Sequence, residues 1–229
     1  MRGYRQEYCP IVRAAEVVAE RWTPIIVRNL LLGCETFGEI AAGAPGISET
    51  LLSQRLRTLE QHGIIDRSPN PRGRGSLYRL TEAGRELQEV CDAMGTWGAR
   101  WLDVAPKNLD PGIVLWAVAK TMDRERLPKK RLVVRFDIRD APKQKFWLLV
   151  QRPEPELCKK HPGFDEDLVF KTETEWLTRW HTGQISLRQA MRDGVIEIEG
   201  LASRVREFAA CGGQSPFAGS ARRGDHTRS

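Results

Sequence analysis

Residues 48–57 read SETLLSQRLR, a stretch in which leucines are interspersed with hydroxyl, amide and guanidinium side chains. If this stretch is helical, Leu56 and Leu59 lie within about 40° of Leu52 and form one apolar side. Arg55 falls nearer that side, where it can pack or reach a phosphate. The polar residues on the other side, about 100° to 200° from the leucines, are Thr50, Ser53, Gln54 and Arg57. The stretch therefore predicts an amphipathic helix whose polar side either faces water or binds a partner.

The segments before this helix predict three further helices. Apolar residues recur at helical spacing from 11 to 22, and a second helix is predicted to begin at Thr23, which can cap it. Thr36 suits the cap of a short third helix. The Gly and Pro residues at 43–46 then form a turn before Ser48, the predicted cap of the fourth helix. A short helix, a tight turn and a longer helix are the parts of a helix-turn-helix.

Two features after the fourth helix extend this motif. Residues 64–80, IIDRSPNPRGRGSLYRL, have two β-prone arms around Pro, Asn and Gly and predict a hairpin. Residues 81–103 predict a long helix with one apolar stripe, which contains Leu87, Val90, Met94, Trp97 and Trp101. Four helices, a hairpin and a helix are the order of a mainly α winged helix-turn-helix domain, whose fourth helix reads DNA.

The local placement of charge supports DNA binding better than the net charge of +6 does. Residues 120–160 supply the excess, and we expect that basic run to be a solvated sheet face. Hydroxyl, amide and guanidinium groups on the fourth helix are the types that reach phosphates and base edges, and arginines at a hairpin tip suit a wing. The alternative is a solvated helix face and an exposed loop with incidental charge. The predicted DNA-binding residues are Ser48, Thr50, Ser53, Gln54, Arg55, Arg57, Arg72 and Arg74.

From residue 112 the pattern changes to short strands and helices. RLVVRFDI alternates apolar and polar side chains, and KFWLLVQ predicts a strand paired with it. Further strands and helices predict an α+β domain with an antiparallel sheet. The predicted organisation is a winged helix DNA-binding and dimerisation domain at 1–105, a linker at 106–111, the α+β domain at 112–211 and a disordered tail at 212–229.

Several classes of function lack their sequence signals. MRGYRQEYCP has no apolar signal region, and no segment reaches the roughly 18 apolar residues of a membrane span, so we expect a soluble, cytoplasmic protein without membrane insertion. The five cysteines form no CxxC pair and the four histidines have no metal-ligand spacing, which predicts reduced thiols and no metal. Because no nucleophile elbow, phosphate loop or dinucleotide fingerprint is present, we expect no cofactor and no enzyme activity.

The first half carries an ordered set of motif residues, which are Cys9-Pro10, Arg21-Trp22-Thr23, Phe37, Glu39-Ile40, Gly46-Ile47-Ser48, Leu52-Ser53-Gln54-Arg55-Leu56, Leu59-Glu60, Gly63, Tyr78, Leu80-Thr81, Gly84 and Trp97-Gly98. This set covers about residues 9–101 and resembles the HxlR family of bacterial winged-helix regulators. The resemblance implies a homodimer, built by the first and last helices, that binds double-stranded operator DNA.

Cys9 opens the first predicted helix, with Arg13 one turn further on. A helix amino terminus and a nearby cation both lower the pKa of a thiol. The matching cysteine of some HxlR relatives senses electrophiles or oxidants, which makes Cys9 the candidate redox residue. The alternative is a small residue buried at the dimer contact.

Residues 167–200 contain a strand, a helix with paired tryptophans, a Ser-Leu-x-x-Ala-x-x-x-Gly helix and a strand that ends in Glu-Gly. This order is similar to that of the sterol-carrier-protein fold, and the resemblance covers about residues 112–210. The resemblance implies an apolar tunnel that holds a lipid-like or other hydrophobic small molecule. The alternative is that these residues form an ordinary core. His161 and His181 are expected to be structural. The predicted lining residues are Trp116, Phe136, Phe146, Leu148, Phe170, Trp176, Trp180 and Leu187.

Together these patterns predict a homodimeric DNA-binding regulator of the HxlR type whose second domain senses a hydrophobic ligand. Two alternatives remain open. One is a redox or electrophile-sensing regulator that works through Cys9, and the other is a lipid carrier or enzyme with a vestigial DNA-binding domain.

Overall fold

The structure is a computed structural model that describes residues 8–71, 73–102 and 109–220. The chain divides into two compact units between Met94 and Gly95. This division lies inside the helix Glu82–Trp101, before the boundary predicted at residue 105. The helix therefore contributes residues to both units.

The predicted linker at 106–111 is only partly described. Residues 106–108 lie outside the described residues. Pro111 is already the first residue of the next helix, and the Asp110 carboxylate caps that helix by accepting a hydrogen bond from the Gly112 backbone N–H at 2.7 Å.

The first unit is helical apart from one hairpin, and the predicted order of its elements is confirmed. These elements are α1 (Pro10–Val18), α2 (Thr23–Leu31), α3 (Phe37–Ala42), α4 (Glu49–Gln61), β1 (Ile65–Pro69), β2 (Ser76–Leu80) and α5 (Glu82–Trp101), which continues into the second unit. The first helix is shorter than predicted, since it ends at Val18 and leaves Trp22 in the connection to α2. Thr23 is the first residue of α2 and not its cap.

The core of the first unit lies between α2, α3, α4 and the hairpin. Its most buried side chains include Ile26, Ile40, Leu52, Leu56 and Ile65, all at most 2% exposed. By contrast, α1 contains no buried residue. The position of α1 therefore depends on few apolar contacts within the described chain.

The second unit is built around a five-stranded sheet, which confirms the prediction of an α+β domain. Its elements are α6 (Pro111–Lys120), β3 (Leu132–Ile138), β4 (Lys145–Val150), β5 (Glu156–Cys158), β6 (Leu168–Thr172), α7 (Thr174–His181), α8 (Leu187–Arg192), β7 (Ile196–Gly200) and α9 (Ala202–Ala210). The strand order is β5-β4-β3-β6-β7.

The sheet is mixed, so the prediction of an antiparallel sheet is wrong for one pair. β3 runs antiparallel to β4 but parallel to β6, with Phe136 opposite Phe170. The reason is topological, because β5 occupies the edge beside β4 and the chain must cross back through residues 159–167 before β6 pairs with the free side of β3.

One face of the sheet carries the apolar core of the second unit. Phe136, Phe146 and Phe170 are at most 2% exposed. The ring of Phe170 lies 4.9 Å from that of Phe136 and 5.1 Å from that of Phe208 on α9, measured between centroids. Burial of each such side chain stabilises the fold by about 1.5–3 kcal/mol, so this cluster is a main source of stability.

Residues 212–220 pack against the second unit, although the sequence predicts a disordered tail from residue 212. The Ser215 backbone N–H donates to the His181 carbonyl at 2.7 Å, and Nδ1 of His181 lies 2.7 Å from the Gly213 carbonyl oxygen. Ala218 contacts Gly183 closely. The prediction is wrong for this stretch because these contacts come from folding and not from composition. Residues 221–229 lie outside the described residues.

No helix within the described ranges has both the length and the apolar character needed to cross a membrane. Within the same ranges, no three His, Cys, Asp or Glu side chains are grouped so that they could hold a metal ion.

Candidate nucleic-acid interface

The helix-turn-helix consists of α3, the turn at residues 43–48 and α4. Gly46 has a φ of +86°, a left-handed conformation that a side chain would strain. Ser48 ends the turn, and its Oγ accepts a hydrogen bond from the backbone N–H three residues further on at 3.2 Å. The three leucines of the predicted apolar side are at most 2% exposed. Ser48 is therefore a helix cap, as predicted, and the leucines orient α4.

A buried amide joins α2 to the end of α3. The side chain of Asn29 is fully buried, and its Nδ2 donates to the Ile40 carbonyl at 2.9 Å. Its Oδ1 accepts from the Arg28 guanidinium at 2.7 Å, and that guanidinium also donates to the Gly43 carbonyl at 2.6 Å. These bonds satisfy carbonyls at the end of a short helix and determine where the turn begins. Sequence patterns do not single out Asn29, because its partners are backbone groups that only folding brings close.

The outward side of α4 is polar, as the helical wheel predicts. Thr50, Gln54 and Arg57 are exposed and Ser53 is half-buried. Nε of Arg57 lies 3.4 Å from the Ser53 carbonyl one turn earlier. Within the described residues no salt bridge involves Arg57. Its guanidinium is thus positioned on the outward side with donors left for a partner.

Arg55 differs from the other predicted DNA-binding residues of α4. Its side chain is only 20% exposed, and its Nη2 lies 2.7 Å from Oε2 of Glu20 in the connection between α1 and α2. The helical wheel already places Arg55 near the leucines. In this conformation its cation is directed to the body of the unit, and its predicted DNA contact stays a prediction.

The wing is the antiparallel hairpin of β1 and β2. Arg74 is exposed at its tip, and Arg72 lies outside the described residues. Arg67 is an exposed residue of the wing that the sequence did not indicate as a site residue. Its Nε donates to Oγ of Ser76 at 2.9 Å, and its guanidinium carbon lies 6.0 Å from the centroid of the Tyr78 ring. The cross-strand position of Arg67 opposite Tyr78 is the signal that could have identified it.

Two helices of the chain expose apolar side chains. Val90, Met94, Trp97 and Trp101 of α5 are between 42% and 58% exposed, and Ile11 of α1 is 78% exposed. Monomeric soluble proteins rarely leave contiguous apolar surfaces of this kind uncovered. The first and last helices of the winged domain are therefore candidate contacts with a partner chain.

All five cysteines are free. Cys9 is partly exposed at the amino end of α1, whereas Cys34 and Cys211 are buried. Burial raises the pKa of the Cys91, Cys158 and Cys211 thiols. A raised pKa leaves less thiolate at neutral pH, so these three are poor nucleophiles.

The residues predicted to line an apolar tunnel pack against one another. Seven of the eight belong to one apolar core; the eighth, Trp116, is partly exposed on α6. Phe170 and Trp180 have ring centroids 6.4 Å apart, and both rings contact Phe208. Contacts of this kind between β6, α7 and α9 agree with the alternative of an ordinary core. The seven core members are Phe136, Phe146, Leu148, Phe170, Trp176, Trp180 and Leu187.

The chain is a winged helix-turn-helix protein, because a helix-turn-helix with its polar side outward is followed by a two-stranded wing. The chain belongs to the HxlR-like helix-turn-helix family of transcriptional regulators, and the family matches residues 17–106. The HxlR resemblance is thus confirmed. The sterol-carrier resemblance of the second unit stays a prediction.

Relatives of this family match the chain over less than half of its length. The HTH-type transcriptional regulator YvaP of Bacillus subtilis (strain 168) is 34% identical over 108 residues, which are 46% of this chain and 98% of YvaP. The HTH-type transcriptional regulator Rv3095 of Mycobacterium tuberculosis (strain ATCC 25618 / H37Rv) is 40% identical over 114 residues, 49% of this chain and 70% of Rv3095. Among solved structures, the redox regulator HypR in its oxidized form is 30% identical with a TM-score of 0.38, over 42% of this chain and 100% of HypR.

Proposed function

We propose that this chain is a homodimeric transcriptional regulator that binds double-stranded operator DNA through α4 and the wing. The observation that carries the proposal is the outward side of α4, where Thr50, Gln54 and Arg57 are exposed while the leucines behind them are buried. Side chains of these types form hydrogen bonds with phosphates and base edges. The membership of a family of transcriptional regulators supports the same function.

The dimensions of α4 suit the major groove. An α-helix with its side chains is about 10–12 Å across, and the major groove of B-DNA is about 12 Å wide. In this arrangement Arg57 and Gln54 reach base edges or phosphates. The wing arginines Arg67 and Arg74 contact the flanking backbone or the minor groove.

The homodimer is proposed from the exposed apolar residues of α1 and α5. A twofold dimer places two copies of α4 in successive major grooves, about 10–10.5 base pairs apart. The two half-sites of the operator then have the symmetry of the protein dimer.

Selection of bound sequences from a pool of random duplexes tests the proposal and identifies an operator in the same experiment. Fluorescence anisotropy then measures the affinity for a recovered duplex of about 30 base pairs, which spans two half-sites with flanks. Arg57→Ala should weaken binding by about 1–3 kcal/mol. The matched control is Arg188→Ala, which removes the same charge from α8 outside the proposed surface. It should leave the affinity unchanged. Failure to recover any sequence, or equal binding by the two variants, would contradict the proposal.

A second candidate is oxidant sensing through Cys9. The observation that favours it is that Cys9 is partly exposed at the start of α1, while the pKa of the thiols at 91, 158 and 211 is raised by burial. The redox regulator HypR is a similar protein. DNA binding by wild type and by Cys9→Ser protein should be compared before and after treatment with diamide. A Cys9→Ser protein that responds like wild type excludes this role.

Three finer properties stay predictions: a hydrophobic ligand in the second unit, the lack of enzyme activity and a cytoplasmic location. Mass spectrometry of small molecules that copurify with the native protein tests the first. Recovery of no apolar molecule would favour the ordinary core. If instead the protein is a lipid carrier or enzyme with a vestigial DNA-binding domain, Arg57→Ala leaves its activity unchanged.

A further inference from the structure

We infer that the ion pair between Glu20 and Arg55 is a positioning device that sets the spacing of operator half-sites. This inference rests on the proposed function, because it concerns the distance between two recognition helices in a DNA-bound dimer. It assigns Arg55 to the geometry of the dimer and not to the reading of bases.

The two residues of this ion pair lie on parts of the first unit that differ in how firmly they are packed. Arg55 lies in the middle of α4, whose position is determined by buried leucines. Glu20 follows α1 by two residues, and α1 has no buried residue. The ion pair therefore connects a firmly packed helix to a weakly packed one. Among the described residues, no other side-chain hydrogen bond or salt bridge joins α4 to this connection.

The ion pair joins a largely buried guanidinium to a half-exposed carboxylate. Nη2 of Arg55 lies 2.7 Å from Oε2 of Glu20, and the Arg55 side chain is 20% exposed while that of Glu20 is 52% exposed. Nε of Arg55 is buried and has no hydrogen-bond partner in the described part of the chain. Glu20 is the only carboxylate paired with Arg55 among the described residues, so it largely determines the direction of the guanidinium.

The consequence appears in the dimer. If α1 contacts the partner chain, a rotation of α1 relative to α4 changes the distance and the angle between the two copies of α4. One additional base pair between half-sites moves them apart by about 3.4 Å and rotates them by about one tenth of a turn. A connection between α1 and α4 therefore controls discrimination between spacings, while the bases preferred within each half-site depend on Thr50, Gln54 and Arg57.

The opposing arrangement is that Arg55 leaves Glu20 when DNA binds and contacts a phosphate. The two arrangements predict opposite results for Glu20→Gln. If Glu20 competes with DNA for Arg55, removal of its charge strengthens binding. If Glu20 positions Arg55, removal of its charge weakens binding at the preferred spacing, because a smaller fraction of dimers has the competent geometry.

The test uses the whole 229-residue chain and the duplex recovered by selection, together with the same duplex carrying one base pair inserted between the half-sites. Affinities of wild type, Glu20→Gln, Arg55→Gln and the double variant are measured by anisotropy at several salt concentrations. Glu125→Gln, which removes the same charge from an exposed position of the second unit outside the proposed DNA and dimer surfaces, is the matched control.

We expect the penalty for the inserted base pair to fall by about twofold to fivefold in Glu20→Gln and in Arg55→Gln, the range for a partly exposed ion pair. In the double variant the penalty for the inserted base pair should fall no further than in either single variant. The slope of log affinity against log salt should be unchanged. Glu125→Gln should behave like wild type.

Two results would overturn the inference. One is an equal or higher affinity of Glu20→Gln with an unchanged insertion penalty. The other is a salt slope reduced by about one unit in Arg55→Gln, which marks a lost phosphate contact. If Arg55→Gln does not fold, Arg55→Lys and Glu20→Gln decide the question, since a lysine keeps the charge but not the planar geometry. Failure of the proposed function is recognised separately, because wild type then recovers no duplex.

Discussion

Replacement of Gly84 by alanine tests how closely α5 approaches the hairpin. A Cβ atom at this position would lie 2.1 Å from the carbonyl oxygen of Ile64 and 3.0 Å from Cδ2 of Leu80. The first distance is about 1.4 Å short of the roughly 3.5 Å at which non-bonded heavy atoms attract best. The atom in the way belongs to the backbone, so it cannot rotate aside. α5 or the start of the hairpin must therefore move.

The expected loss of stability follows from two opposing effects. Overpacking of a well-packed site costs about 1–3 kcal/mol, and a clash with the backbone places Gly84→Ala at the upper end. Alanine in place of glycine within a helix contributes about 1 kcal/mol in the other direction. The net effect is a decrease of about 2 kcal/mol in the free energy of unfolding. Gly98 provides the matched control on the same helix, because nothing lies within 4 Å of its added Cβ atom.

The assay is urea unfolding of wild type and both variants, followed by circular dichroism. Gly84→Ala should lower the midpoint, and Gly98→Ala should raise it through a gain of about 0.5–1 kcal/mol. A Gly84→Ala protein as stable as wild type would refute the close approach of α5 to Ile64. Shifts of the same sign and size in both variants would show that helix propensity alone determines the result.

Three further predictions concern buried or partly buried residues. Asn29→Ala leaves the Ile40 carbonyl unpaired, so chemical denaturation should show a loss of about 1–3 kcal/mol. Gly183→Ala puts a Cβ 2.4 Å from that of Ala218 at a φ of +77°, so limited proteolysis should cleave the segment after residue 211 faster than in wild type. Burial lowers the pKa of His181 below its ordinary value, so the unfolded state takes up the proton first as the pH falls. Stability should therefore decrease below about pH 6.5, and His181→Gln should flatten this decrease in thermal melts from about pH 7 to 5.

The helices of the first unit show which structural features local sequence patterns predict. Helical spacing of leucines predicts α4 and its outward side, and Ser48 is a helix cap as the position before the helix predicts. The early end of α1 was not predicted, because residues 19–22 continue the apolar pattern but do not form helix. A periodic pattern indicates which side is buried more reliably than it indicates where a helix ends.

The candidate site was predicted only in part. The outward positions of Thr50, Gln54 and Arg57 follow from the helical wheel, which needs no information beyond the helix itself. The sequence does not indicate Arg67, because its position opposite Tyr78 depends on strand pairing. Arg55 was included although its charge is paired with Glu20, which lies 35 residues earlier in the chain.

The order of helices and strands, the helix-turn-helix with its wing and the resemblance to the HxlR-like family all follow from the amino-acid sequence alone. These features depend on caps, turns and apolar periods that act over a few neighbouring residues. The parallel pairing of β3 with β6, the packing of residues 212–220 and the contact between the rings of Phe170 and Trp180 are visible only in the folded chain. Each of these depends on which distant segments come into contact, and a contact between distant residues has no signature in either segment alone.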